Sequence, residues 1–250
     1  HAKLLFKISK LGIVDELYDI LSSFLQSRTQ QVCVDNCLSH TISITSGVPQ
    51  GSVLGPILFL IYINDLINVF PDSVSCKLFA DDVKLYSVIN GVDDLHHFQG
   101  SLHRLEQWAD LWQLNLSINK CCILNIVGNK RIINEDCSNF TNIVCNSELS
   151  KVDKCRDLGV IVDNKLNFRS HIIEMVMKAK QRMALLFRCF VIKDASSLMM
   201  GYKSYIMPLL DYCSEIWSPH FIKDVLLIES VQRKFTKRIP GFNSLSYREN

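Results

Sequence analysis

The stretch Cys76-Lys77-Leu78-Phe79-Ala80-Asp81-Asp82-Val83-Lys84-Leu85-Tyr86 constrains this chain more than any other, because it sets two adjacent carboxylates between two short strand-forming runs. Leu78 and Ala80 alternate with Lys77 and Phe79, and Val83, Leu85 and Tyr86 follow, which predicts a β-hairpin with acid at its tip. Adjacent carboxylates repel one another. A hard divalent cation that takes oxygen ligands, Mg2+ first, relieves that repulsion. Taken alone, an Asp-Asp pair is more often a solvated polar turn, so its context decides.

The context lies upstream, in Ser46-Gly47-Val48-Pro49-Gln50-Gly51-Ser52 and the helix-forming run Val53 to Leu66. Gly47 and Gly51 let the main chain approach a ligand closely, Pro49 stiffens the turn between them, and Gln50 offers both a donor and an acceptor. Pro56 suits the first turn of a helix running to about Leu66. Apolar residues all round from Ile57 to Ile63 predict burial of that helix beneath a sheet.

Together the two stretches resemble motifs B and C of the reverse transcriptase domain of a non-LTR (LINE-like, jockey-type) retrotransposon, in the order and spacing of that family. The resemblance implies an α+β right-hand polymerase. A partial palm, an antiparallel sheet backed by helices, is expected over residues 1–165, and a helical thumb with the start of the C-terminal region over 166–250. It also implies RNA-directed DNA polymerase activity, in which dNTPs are joined to a DNA primer 3′ hydroxyl on an RNA template by two Mg2+ ions, or Mn2+. Asp81 is then the first metal ligand and Asp82 a secondary one. Gly47, Pro49, Gln50 and Gly51 would lie beside the templating base and the incoming nucleotide. Intracellular residence in nucleus and cytoplasm is expected on the same ground.

The chain opens on His1 rather than Met, which reads as a fragment. Its first residues resemble the stretch just after the family's motif A, so the fingers and the motif A carboxylate are expected before residue 1 and the isolated chain is expected to be inactive. Ala2–Leu11 and Asp15–Ser27 read as two helices broken at Gly12. Gln30–Val34 and Thr41–Thr45 flank Asp35-Asn36 and predict a two-stranded hairpin.

After the acidic stretch, Asp93-Asp94 caps a helix to about Leu114 with Leu95, Phe98, Leu102, Leu105, Trp108, Ala109 and Trp112 inward. His96, His97 and His103 read as solvated, since no Glu or Cys completes a ligand set. Asn115–Ile126 resembles motif D, and its Lys120 is the matching candidate acid for the leaving pyrophosphate; a surface Lys closing a turn is the plain alternative. Gly128–Asn146 is polar and weakly patterned. Cys155–Asp163 reads as a strand or hairpin and resembles the Leu-Gly element that supports the primer end, here Leu158-Gly159.

Helical patterns then cover Phe168–Phe190, Asp194 to about Met207, and Ile222–Arg238, with Pro208 and Pro219 as breaks. Residues 1–150 hold 10 Lys and Arg against 15 Asp and Glu, whereas 151–250 hold 17 against 10. A basic C-terminal part suits a surface that follows phosphates. Lys178, Lys180, Arg182, Arg188, Arg233, Lys234, Lys237 and Arg238 are its candidates, while Tyr202, Tyr205, Tyr212 and Trp217 read as thumb packing.

The longest apolar run, Ile57–Ile63, is too short to span a bilayer. The 10 cysteines show no paired metal spacing and no secretory start precedes them, so buried free thiols are expected. Competing readings are a nucleic-acid-binding relic, another right-hand polymerase such as an intron-encoded or telomerase-like reverse transcriptase, and, more weakly, a metallonuclease, which has no use for the Gly-Val-Pro-Gln-Gly loop.

Overall fold

The computed structural model describes residues 1–126, 140–191 and 194–242. They divide into two compact units, His1–Cys121 with Ile133–Leu149, and Cys122–Ile132 with Ser150–Asn250. Part of the polar Gly128–Asn146 segment lies outside the described residues.

In the first unit, helices α1 (Ala2–Lys10), α2 (Asp15–Leu25) and α3 (Leu54–Ile63) pack Leu4, Leu5, Ile8, Leu21, Leu25 and Leu58 into one cluster. A 3-10 turn, Asn64–Val69, carries α3 onward. With α4 (Val92–Trp112) it forms a second cluster of Ile63, Leu66, Trp108 and Ala109. The start of α4 is fixed by Asp94, whose carboxylate accepts from the Asn90 and Gly91 amides at 2.7 and 3.3 Å. His96, His97 and His103 lie exposed along this helix, with His103 beside Glu106 at 3.0 Å.

Lys7 joins these clusters. It is only 6% exposed, and its ammonium donates to Asp65 at 2.6 Å and to the Tyr62 carbonyl. The same group lies 3.6 Å from the ring centre of Trp112 and 4.9 Å from those of Tyr62 and Trp108. Burial pushes its pKa down and the Asp65 carboxylate pulls it back up. The Tyr62 hydroxyl donates to the Trp112 carbonyl, so α1, α3 and α4 are tied at one point.

Three sequence expectations are corrected. Helix α3 is not buried all round: Leu58 and Ile63 are buried, but Ile57 and Leu60 are about half exposed at 52% and 50%, because the clusters named above cover one side of it. The Asp35-Asn36 turn, where both residues have positive φ, joins β2 (Cys33–Val34) to β3 (Cys37–Leu38), and β1 (Thr29–Gln30) pairs with β4 (Ile42–Ser43) outside it. The apolar period identified the outer strands but not the nested inner return. Cys33, Cys37, Cys121, Cys122, Cys145 and Cys189 are exposed rather than buried, since they fall on short ladders and segment ends that face solvent.

In the second unit, β7 (Cys122–Leu124) pairs parallel with β10 (Ser150–Val152), while β8 (Ile143–Val144) and β9 (Ser147–Glu148) form a small hairpin in the first unit. β11 (Lys154–Asp157) and β12 (Val160–Asp163) form an antiparallel hairpin against α5 (Arg169–Cys189). Helices α6 (Ala195–Tyr205), α7 (Met207–Asp211), α8 (Ser214–Trp217) and α9 (Ile222–Thr236) complete this unit around Ile172, Val176, Ala179, Leu198, Ile206, Val231 and Phe235. The two short helices α7 and α8 are additions to the sequence reading; Pro208 opens α7 in its first turn, where its missing N–H costs nothing. Buried Asp224 accepts from Arg169 and pins α9 to the start of α5.

Among the described residues every ladder is two-stranded, five antiparallel and one parallel. Such ladders draw their stability from helices packed on one face. No described helix is long and apolar enough to cross a membrane.

Two predictions follow from this packing. Lys7→Met removes the cation from its rings and leaves the Tyr62 carbonyl and the part-exposed Asp65 without it, so urea unfolding should show a loss of about 1–2 kcal/mol, against less than about 0.5 kcal/mol for exposed Lys10→Met. His171, buried on α5, accepts the Ile161 amide on Nδ1 at 3.3 Å and must be neutral to do so. Burial lowers its pKa below the ordinary 6.5; Glu174 opposes this and Arg156 and Lys178 reinforce it. A depressed folded value means the unfolded chain binds the proton first, so this stability is whole above about pH 6.5 and is lost as pH falls toward the folded value. The urea midpoint should drop between pH 7 and pH 5 in the wild type, and less steeply in His171→Gln.

Candidate functional site

The acidic stretch folds as β5 (Ser75–Phe79) and β6 (Asp82–Tyr86), paired from Ser75↔Tyr86 to Phe79↔Asp82. Only Ala80 and Asp81 lie between the strands, and Ala80 takes φ +51°, the left-handed geometry that matches a tight hairpin to strand twist. The register puts Leu78 opposite Val83, and both pack on the Ile63–Leu66–Trp108 cluster. Phe79 pairs with Asp82 and Lys77 with Lys84 on the other face. Asp81 and Asp82 are therefore exposed on a turn whose strands are seated on the core.

The loop before α3 is held from within. Gly47 and Gly51 both have φ +77°, which other residues adopt with strain. The Ser52 hydroxyl donates to the Pro49 carbonyl at 2.6 Å and accepts the Gly55 amide at 3.1 Å, which fastens the loop to the first turn of α3. A Cβ on Gly55 would sit 3.1 Å from the Pro49 carbonyl and 3.0 Å from the Ser52 hydroxyl. Gln50 is left exposed and Pro49 half-buried. Ser52, which locks this loop, is not singled out by the sequence, where its only signal is a Ser just ahead of an apolar helical run.

The helix that follows the loop shares a core with the hairpin: Ile63 of α3 belongs to the cluster that carries Leu78 and Val83, and Phe59 flanks it. Leu114 and Leu116 flank it too, and lead into the 3-10 turn Ile118–Lys120, where Lys120 is exposed. Among the described residues no group of three His, Cys, Asp or Glu side chains converges as a ready-made metal cage. Asp81 and Asp82 offer two hard oxygen donors, which suits an ion that shares its shell between one or two carboxylates, substrate phosphates and water.

In the second unit, Leu158 and Gly159 form the β11–β12 turn, with φ +44° and +90°. Arg156 donates to the Gly159 carbonyl at 3.2 Å and to both oxygens of Glu174 at 2.6 and 2.7 Å. Lys178 reaches Glu174 at 2.6 Å, and these two cations hold its carboxyl down at about 2. The Tyr212 hydroxyl donates to the Leu158 carbonyl at 2.9 Å, across 54 residues, a contact no local pattern announces.

Of the candidate phosphate groups, Lys178 is paired with Glu174 and Arg233 with Glu229, the latter at 2.6 Å. Arg182, Arg188, Lys234, Lys237 and Arg238 are exposed on α5, on α9 or just after it. Burial and the Lys234 charge lower the pKa of Lys180, so α5 and α9 turn like charges toward each other there.

A family model described as reverse transcriptase (RNA-dependent DNA polymerase) matches residues 1–162. The chain is 28% identical to the "RNA-directed DNA polymerase from mobile element jockey" of Drosophila funebris, covering 96% of this chain and 27% of that protein. The Drosophila melanogaster protein of the same name is also 28% identical, over 96% and 27%. The "Probable RNA-directed DNA polymerase from transposon X-element" of Drosophila melanogaster is 24% identical, over 96% and 26%. The chain thus spans about a quarter of the length of these relatives. With two thirds of its length matching one family and its acid-tipped hairpin folded and seated, the chain belongs to the reverse transcriptases, as a domain of the non-LTR retrotransposon kind with a polymerase-type fold.

Proposed function

We propose that this chain carries part of the machinery of RNA-directed DNA synthesis, extending a DNA primer on an RNA template. The observation that bears most weight is the joint seating of the Asp81-Asp82 hairpin and the helix launched by the Gly47–Gly51 loop on one cluster. In this reading the first unit supplies the core of a palm and the helices of the second unit a thumb. The parent protein works in the nucleus and cytoplasm.

Asp81, with Asp82 beside it, would hold Mg2+, or Mn2+ in its place, and the bound ion would supply Lewis-acid activation of the primer hydroxyl and charge neutralisation at the transferred phosphoryl group. Every other task falls to the chain itself. Gly47 and Gly51 leave the loop backbone free of side chains, so its amides approach the nucleotide; Pro49 and Ser52 keep that backbone in shape, and Gln50 offers its amide to a base edge. Lys120 presents an ammonium to the departing pyrophosphate and gives it a proton. The Leu158-Gly159 turn supports the primer end, and Arg182, Lys234 and Lys237 follow the phosphates of the duplex, with Lys178 joining them when it leaves Glu174.

Primer extension by the longest reading frame that carries these 250 residues tests the assignment. Asp81→Asn should lower kcat more than about a hundredfold with primer–template binding intact; unchanged turnover overturns Asp81 as a ligand. Lys120→Ala should lower kcat about a hundredfold or more while KM for dNTP holds. Gly55→Ala displaces the Pro49 carbonyl and should raise KM for dNTP more than it lowers kcat.

A further inference from the structure

The β11–β12 hairpin is held at three points, two on the Leu158-Gly159 turn and one on β12. Leu158 sits at φ +44°, a conformation that costs a non-glycine residue about 1 kcal/mol, so something must hold it there. The Tyr212 hydroxyl donates to the Leu158 carbonyl at 2.9 Å, and its ring edge lies 3.2 Å from where a Cβ on Gly159 would stand. Arg156 takes the Gly159 carbonyl. Along β12, the Ile161 amide is taken by His171.

Tyr212 is itself anchored. Its carbonyl accepts from the indole N–H of Trp217 at 2.7 Å, and Trp217, 2% exposed, meets the His171 ring edge-on at 5.4 Å. A closed circuit therefore runs from the turn through Tyr212, Trp217 and His171 back to the same hairpin at Ile161. Yet Tyr212 is 53% exposed. A phenol half in solvent, spending its one proton on a turn carbonyl, does little as core filler. What it does fix is a peptide plane. In a trans peptide the carbonyl and the following amide point in opposite directions. Drawing the Leu158 carbonyl toward Tyr212 aims the Gly159 amide away from it, on an exposed residue, and the absent Cβ lets the Tyr212 ring close on the turn from the other side.

We infer that Tyr212 is a positioning residue for the primer strand: through its hydroxyl on the Leu158 carbonyl, it holds the Leu158-Gly159 turn so that the Gly159 amide faces a backbone phosphate near the primer 3′ end. This rests on the reading of that turn as the primer support. The ligand chemistry is a single anionic phosphodiester, which a fixed backbone donor suits and which carries no base information.

The test is binding of an RNA–DNA primer–template to the 250-residue chain, read by fluorescence anisotropy, so that turnover is not needed. The probes are a native primer and primers with one neutral methylphosphonate linkage at successive positions from the 3′ end. For wild type, one linkage near the 3′ end should weaken binding when neutralised. Tyr212→Phe, with thermal midpoint unchanged within a few degrees, should weaken native primer about fivefold and abolish the extra sensitivity at that linkage, since the donor is no longer aimed there. Gly159→Ala should do the same.

If Tyr212→Phe binds like wild type while Gly159→Ala loses the linkage sensitivity, the turn reading stands and the role given to Tyr212 is overturned. Equal losses at every linkage with a lowered thermal midpoint mark Tyr212 as structural only and overturn it too. If wild type does not bind, or shows no linkage sensitivity near the 3′ end, the primer-support reading itself falls and takes the proposal with it.

Discussion

The ammonium of Lys7 is the point on which the first unit turns. It comes from a helix that carries no proposed chemistry, yet it binds Asp65 just beyond α3 and the carbonyl of Tyr62 within it, with Trp112 of α4 stacked against it. An ammonium so nearly enclosed is tolerated because its charge is met by a carboxylate, a carbonyl and three ring faces at once. The Ile63–Leu66–Trp108 cluster lies directly beside this contact in sequence and in space, and the acidic hairpin is seated on that cluster. The exposed pair of carboxylates thus owes its placement to a buried cation more than seventy residues earlier in the chain.

The two candidate sites follow one design. Each is a two-residue turn with a positive φ, Ala80-Asp81 in one and Leu158-Gly159 in the other, on a short ladder that could not stand alone. Each is steadied by helices behind it. The difference lies in what the turn shows: side-chain carboxylates in the first, and main chain in the second, where one guanidinium and a phenol occupy the carbonyls. Negative and amide-bearing tips suit opposite partners, a metal ion and a phosphate.

Much of this was legible in the residues because the decisive features are local. The Asp81-Asp82 hairpin announced itself by period-two alternation about a turn, and α1, α2, α4, α5 and α9 by apolar spacing that the helices keep to within a few residues. What stayed hidden was set by distant partners. Ile57 and Leu60 look like core by composition, but exposure depends on what packs there. The inner return Cys33–Leu38 is too short for a period to show. Lys7, Tyr212 and His171 look ordinary in the sequence; the Lys7–Asp65 and Tyr212–Leu158 bonds each span more than fifty residues, and no spacing rule reaches so far.

The parallel pairing of β7 with β10 has a kinetic consequence. The hairpins β5–β6 and β11–β12 close over two residues and can form within microseconds of chain collapse. β7 and β10 are separated by some 25 residues, so their ladder repays its loop-closure entropy only after the flanking elements are in place. Folding is then ordered: both site-bearing hairpins pair over two residues as soon as the helices that steady them are at hand, and the β7–β10 ladder comes later. A destabilising change in that ladder would slow the last stage of maturation and leave the turns themselves intact, so a folding defect there would pass for a loss of chemistry unless the rates were followed separately.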